Sequence, residues 1–207
     1  MRRFDDRNVG IVDYQAGNIH SIANAFAYLG ARTVRVRSAA DMASCSHLVL
    51  PGVGAFGFCA ERFQSSGLIA SVHHWAFEQR RPLLGICVGM QLLADRSEES
   101  PAVAGLGWVG GEVRRLAGEG GVRVPHVGWN SIEFAAACGE FAAGSRADVY
   151  FDHSYAYGMP RAGATLARCR HGESFSAVIA RDNLLAAQFH PEKSQAAGLR
   201  FLSAFLC

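Results

Sequence analysis

Leu83-Leu84-Gly85-Ile86-Cys87-Val88-Gly89-Met90-Gln91-Leu92-Leu93 is the stretch on which the reading of this 207-residue chain turns. Behind Pro82, an apolar run short enough for a buried strand leads into Gly-Ile-Cys-Val-Gly, and the pattern then becomes helical. That spacing is a nucleophile elbow, G-x-S-x-G, with cysteine in the serine position. A side chain on a sharp strand-to-helix turn projects into solvent, and flanking glycines let neighbouring backbone approach without a Cβ in the way. A helix behind it sets N–H groups and a positive dipole end beside the sulfur, which favours thiolate. A free thiol has a pKa near ~8.5 and is mostly protonated at neutral pH, so this help matters. The competing reading is a buried structural cysteine between two packing glycines.

Outward from the elbow, strand and helix alternate over the first part of the chain. Val9 to Val12, Thr33 to Val36, His47 to Leu50 and Leu83 to Ile86 read as strands. Between them, Ile19, Ile22, Ala23, Phe26 and Leu29 recur at helical spacing, Gly30 stops that helix, and Ser38 with Asp41 caps a brief one. Ile69 to Gln79 reads as a further helix. This alternation predicts a parallel sheet covered on both faces. The second half changes character. Glu112 to Leu116, Val122 to Val124, Val149 to Phe151, Thr165 to Cys169, Phe175 to Ala180 and Leu184 to Phe189 are strand-like with few helical patterns between them, so antiparallel additions are expected. A closing helix carries Ala196, Leu199, Leu202, Phe205 and Leu206 on one side. The fold class that follows is α/β: a three-layer, open, mostly parallel twisted sheet with helices on both faces. With no internal repeat, low-complexity segment or linker, one domain over residues 1–207 is expected.

Composition narrows the function. A net charge of +2, with basic residues scattered, gives no reason to expect nucleic acid or an anionic membrane as partner. Lys193 is the only lysine. Cys45, Cys59, Cys87, Cys138, Cys169 and Cys207 form no C-x-x-C pair and no zinc-like spacing, so reduced thiols in a cytoplasmic protein are expected, without metal or cofactor. The charged N-terminus lacks a following apolar stretch, and no apolar run reaches membrane-spanning length.

Two further segments are rich in residues that packing does not need. Pro51-Gly52-Val53-Gly54 follows a predicted parallel strand, at the edge where open α/β sheets bind ligands. Backbone N–H groups of Gly52, Val53 and Gly54 can turn toward an oxyanion there, joined by that of Val88. A plain strand-to-loop turn explains the same residues. After the last strand comes Gln188-Phe189-His190-Pro191-Glu192-Lys193-Ser194. Pro191 favours an extended His190, and in an extended segment His190 and Glu192 leave from the same side. A carboxylate so placed fixes the imidazole tautomer and supports the imidazolium formed when it takes a thiol proton. His190 is therefore a candidate base and Glu192 its orienter. On chemistry alone His126 and His153 stand beside it as candidates.

Together these segments resemble the class I (triad) glutamine amidotransferases, and within them the glutaminase subunits of imidazole glycerol phosphate synthase. The resemblance runs almost end to end, through Asp13-Tyr14-Gln15-Ala16-Gly17-Asn18, Pro51 to Phe56, Gly85 to Leu93, Ser97-Glu98-Glu99 and Gly105-Leu106-Gly107. It continues through Val124-Pro125-His126-Val127-Gly128-Trp129-Asn130, Tyr150-Phe151-Asp152-His153-Ser154-Tyr155 and Gln188 to Ser194. It implies Cys87 as nucleophile, His190 as general base and acid, and Glu192 as its orienter. It implies that Gln91 and the Ser154–Tyr155 backbone hold substrate glutamine, and that Asn18, Trp129 and Lys193 face a (β/α)8 cyclase subunit in a heterodimer. Ammonia would pass to that cyclase, which makes imidazole glycerol phosphate and an aminoimidazole carboxamide ribonucleotide for histidine biosynthesis. The oxyanion loop of the family is implied to sit poorly until the partner binds its ligand.

Gln15, where glycine is common, Val88, where leucine is usual, Asp152, where an apolar residue is usual, and His171, in a tyrosine's place, depart from the pattern. None of them removes a proposed catalytic group. Two other readings stand beside the leading one: the same chemistry serving another acceptor, and a catalytically idle regulatory subunit, against which Cys87, His190 and Glu192 speak. The order Cys, His, Glu also differs from α/β-hydrolases, whose acid precedes the histidine.

Overall fold

A computed structural model describes residues 3–118, 121–158 and 164–207. Five strands, β1 (Asn8–Val12), β2 (Arg32–Val36), β3 (His47–Leu50), β4 (Leu83–Ile86) and β12 (Leu184–Ala187), run parallel in the order β2-β1-β3-β4-β12. Four antiparallel strands extend the sheet beyond β12: β11 (Glu173–Arg181), β10 (Thr165–His171), β7 (His126–Phe134) and β8 (Arg146–His153). A second sheet joins β5 (Arg96–Ser97), β6 (Glu112–Arg115) and β9 (Tyr155–Tyr157). The two halves differ in sequence because they differ in what covers them. β3 and β4 are buried at every position and read as unbroken apolar runs, whereas β7 and β8 alternate buried with exposed side chains for much of their length.

The helices are α1 (Ile19–Tyr28), α2 (Phe56–Ser65), α3 (Ile69–His73, running on as a π turn over His74–Glu78), the single turn α4 (Val88–Gln91) and α5 (Gln195–Leu206). α1 and α5 meet through Phe26 and Phe205, whose rings lie 6.4 Å apart. Ser38 and Asp41 form the expected capping box, on a 3-10 turn over Ala39–Met42. In α5 the buried face is Gly198, Phe201, Leu202, Phe205 and Leu206. Ala196, expected on that side, is exposed, because the close seat of Gly198 on Pro191 sets the rotation of the helix.

Several elements differ from expectation. Val122 to Val124 is not a strand: the chain stays irregular up to Pro125, and pairing with β8 begins only at His126. α2 and β7 are not predicted from sequence, since Gly57 and Gly128 interrupt the periodicity that would mark them.

Candidate active site

The sheet register decides which residues meet the elbow. Ile86 pairs with Ala187 in parallel β4 and β12, and the Cys87 N–H donates to the Ala187 carbonyl at 2.8 Å. The chain leaving β12 therefore runs past the sulfur. Cys87 itself has φ +53 and ψ −111, a conformation a non-glycine residue holds only when its surroundings enforce it. They do so by contact: a Cβ on Gly89 would lie 1.9 Å from the Leu50 carbonyl oxygen, and one on Gly52 2.5 Å from the Gly89 nitrogen. The glycines on the two loops permit that approach.

His190, at the end of this run, shares a cavity with Cys87, and its Nδ1 lies 2.8 Å from Glu192 Oε1. The segment is not extended throughout, as its sequence suggested. His190 is extended (φ −94, ψ 97), but Pro191–Lys193 form a 3-10 turn, with proline in the first-turn position where its missing N–H costs nothing. The turn still delivers the carboxylate to the ring. Burial alone would lower the His190 pKa, but the Cys87 sulfur and the Glu192 carboxylate outweigh it and push the imidazole up to about 10. The arrangement thus favours a protonated His190 ring beside the sulfur. Away from the site, burial pushes the Cys59 thiol up to about 11 and the Cys169 thiol up to about 12.

Cys87 is only 4% exposed, yet it is not sealed. It opens on a cavity of about 350 Å³ that Gln91, Glu99, His153, Ser154, Tyr155 and His190 also line, together with Val53, Gly54 and Val88. Gln91 Nε2 donates to the Tyr155 carbonyl at 2.8 Å and to Gln188 Oε1 at 3.1 Å, and Gln188 Nε2 reaches Cys87 Sγ at 3.8 Å. Gln188 had no assigned role in the sequence; its place depends on the β4–β12 register. Glu99 was also missed. Its Oε2 accepts the Phe56 N–H at 2.7 Å at the start of α2, a helix not recognised from sequence.

Two electrostatic expectations need correction. The Val88 N–H is not free for an oxyanion but donates to the Gly52 carbonyl at 3.4 Å, where the two loops press together. The helix behind Cys87 is a single turn, too short to offer much dipole. His126 and His153, alternative bases on chemistry alone, are instead paired with each other, Nδ1 to Nε2, at 3.1 Å.

Of the residues expected at an interface, Trp129 is 50% exposed and sits across from Tyr150 in the β7–β8 pairing. Lys193 Nζ lies 5.5 Å from the Tyr150 ring centroid and 4.0 Å from Asp152 Oδ2, so the unusual Asp152 faces a cation. Asn18 caps α1, its Oδ1 accepting the Ser21 N–H at 3.3 Å. Gln15 holds φ +66, the conformation for which glycine is the usual choice, and its Oε1 accepts from Arg62 at 3.0 Å.

The profile of the family described as glutamine amidotransferase class-I matches residues 10–206. The chain is similar to imidazole glycerol phosphate synthase subunit HisH of Rhodospirillum rubrum, 40% identical over 96% of this chain and 97% of that one. It is likewise similar to the HisH subunit of Ruegeria pomeroyi, 43% identical over 95% and 96%. A solved glutamine amidotransferase shares its fold, with a TM-score of 0.76 at 23% identity over 96% of both chains.

Proposed function

This chain belongs to the class-I glutamine amidotransferases, and on that premise we propose that it is the glutaminase subunit of imidazole glycerol phosphate synthase. One observation carries the reading: a cysteine and a histidine, distant in sequence, share a cavity sized for an amino acid, and the histidine ring is hydrogen-bonded to a glutamate. Cys87 attacks the side-chain amide carbon of glutamine. His190 gives its proton to the departing nitrogen, so ammonia leaves and a thioester remains. His190 then takes a proton from water, whose oxygen attacks the thioester carbon and frees glutamate and the thiolate. Glu192 holds the ring tautomer and offsets its positive charge.

Gln91 and the Ser154–Tyr155 backbone border the substrate, and the Glu99 carboxylate, on the same cavity, complements the α-ammonium. For the tetrahedral intermediate, Val88 and the Gly52–Gly54 backbone supply the oxyanion donors once the Gly52 carbonyl releases the Val88 N–H. Ammonia passes to a (β/α)8 cyclase subunit of the same synthase, in a heterodimer that works in the cytoplasm as part of histidine biosynthesis. The exposed cluster of Val127, Trp129 and Lys193, with exposed Val53 lining the cavity, supports a docking face beside the cavity. Asn18 belongs to the same proposed interface. The whole of residues 1–207 acts as one domain, using no metal or cofactor.

The test is glutamate release by the purified chain, alone, with a cognate cyclase, and with the cyclase plus its phosphorylated ligand. Stimulation of at least ~10²-fold by the liganded cyclase is expected, the size of one restored oxyanion donor. High unstimulated activity indifferent to the cyclase would contradict the assignment to this synthase.

A further inference from the structure

A polar chain begins at half-buried Asn130 on β7 and supplies no reacting group to the chemistry above, although one of its rings, His153, lines the Cys87 cavity. Asn130 Oδ1 accepts the Ser131 N–H at 2.8 Å, which fixes the orientation of its amide. Asn130 Nδ2 then donates to the Arg170 carbonyl at 3.0 Å and to His126 Nε2 at 3.1 Å. His126 Nδ1 meets His153 Nε2 at 3.1 Å, and His153 Nδ1 meets the Tyr155 carbonyl at 2.9 Å. A carbonyl only accepts, so His153 carries its proton on Nδ1. Its Nε2 must then accept, so His126 also carries its proton on Nδ1 and accepts at Nε2. With both rings neutral every contact is satisfied, and the chain has one direction. It ends on the carbonyl to which Gln91 also donates, and Gln91 leads on through Gln188 to the Cys87 sulfur.

We propose that His126 and His153 are positioning residues, a tautomer-locked pair that fixes the Tyr155 carbonyl and, through it, the Gln91 amide at the glutamine pocket. Packing does not account for them. His126 is 3% exposed and stacks on Phe151 at 4.5 Å and on His171 at 3.9 Å, an aromatic slot in which phenylalanine would be at home. A polar ring is worth keeping there only for what its nitrogens hold. Both rings also resist protonation. Burial, then His153 and His171, bring His126 down to about 3. Burial brings His153 down to about 4, opposed by the Tyr155 carbonyl and helped by His171 and His190. The titratable groups facing the pair are these histidines, so near neutral pH both rings stay uncharged and the direction of the chain is preserved. The nature of the ligand rests on the glutaminase reading; the lock itself does not.

The experiment sets His126→Phe, which keeps the ring and loses both hydrogen bonds, against His126→Asn, which loses the ring and keeps a donor toward His153. With the full chain and liganded cyclase, His126→Phe is expected to raise KM for glutamine by about 10-fold and leave kcat within about 3-fold. His126→Asn is expected to keep KM within about 3-fold of wild type. A wild-type KM in His126→Phe, or a higher KM in His126→Asn than in His126→Phe, would overturn the proposal in favour of plain packing. Imidazole nitrogen-15 spectra provide a readout that needs no catalysis and no variant. At neutral pH both His126 and His153 of the wild-type chain should be protonated at Nδ1 and bare at Nε2. His153 protonated at Nε2 would overturn the lock even if the chain proved inactive on glutamine. Absence of wild-type glutamate release with correct tautomers would count against the glutaminase reading alone.

Discussion

Among the described residues, Glu192 has a single partner for its charge. Its side chain is 1% exposed, its Oε1 is bound to His190, and its Oε2 has no hydrogen-bond partner among the described residues. Burying a carboxylate is tolerable only with a cation beside it, so Glu192 and the imidazolium support each other. Replacing Glu192 with Gln keeps the shape and removes the charge that holds the ring. In the liganded complex, Glu192→Gln should lower kcat for glutamate release by about 10² to 10⁴-fold, with KM within about 3-fold; a kcat near wild type would show that Glu192 does not orient the base. Cys87, His190 and Glu192 were readable in sequence because each sits in a short motif whose spacing has a chemical reason. Gln188 and Glu99 were not, since their roles depend on contacts between segments: the former on strand register, the latter on the start of α2.

α5 and the turn before it form one mechanical piece. Gly198 lies so close to that turn that a Cβ there would be 1.9 Å from the Pro191 carbonyl oxygen. Ser194 joins the two, its hydroxyl donating to the His190 carbonyl at 2.6 Å and accepting the Tyr150 N–H at 2.9 Å. The helix thus seats the turn that carries Glu192. Gly198→Ala should cost about 1–3 kcal/mol in a denaturation experiment, as overpacking does, and depress kcat as well. Unchanged stability would mean the helix and turn yield more freely than this contact allows. At this scale the short apolar strands β3 and β4 were legible with their ends, because full burial writes itself as an unbroken apolar run. α2 and β7 were not, because glycines kept for close approach and turning break the repeat that signals an element.

For the molecule as a whole, several buried histidines set the response to pH. Burial, then nearby arginines, hold His47 down to about 4, and His126 and His153 are held at about 3 and 4. Each is neutral in both folded and unfolded chains above about 6.5. Below that value the unfolded chain gains protons that the folded one refuses, so stability falls as pH drops from about 6.5 toward 4. His190 has the opposite sign: raised to about 10, it contributes stability in full below about 6.5 and loses it as pH climbs toward 10. The thermal midpoint should therefore peak near pH ~6.5 and decline on both sides; a midpoint still rising at pH ~5 would contradict the neutral, buried assignment of these rings. The parallel strands of the first half and the antiparallel character of β8, β10 and β11 were legible from the change in patterning, but the return of β12 to pair parallel with β4 was not, since it was expected among the antiparallel additions. The small sheet of β5, β6 and β9 was not, since strands that short carry no period of their own.

The central claim is that the Cys87 sulfur forms the bond that releases ammonia, and one substitution isolates it. In the complex with the cyclase, Cys87→Ala should abolish glutamine-dependent product formation, while added ammonia still sustains the cyclase reaction. Glutamate release at the wild-type rate from Cys87→Ala would contradict the account.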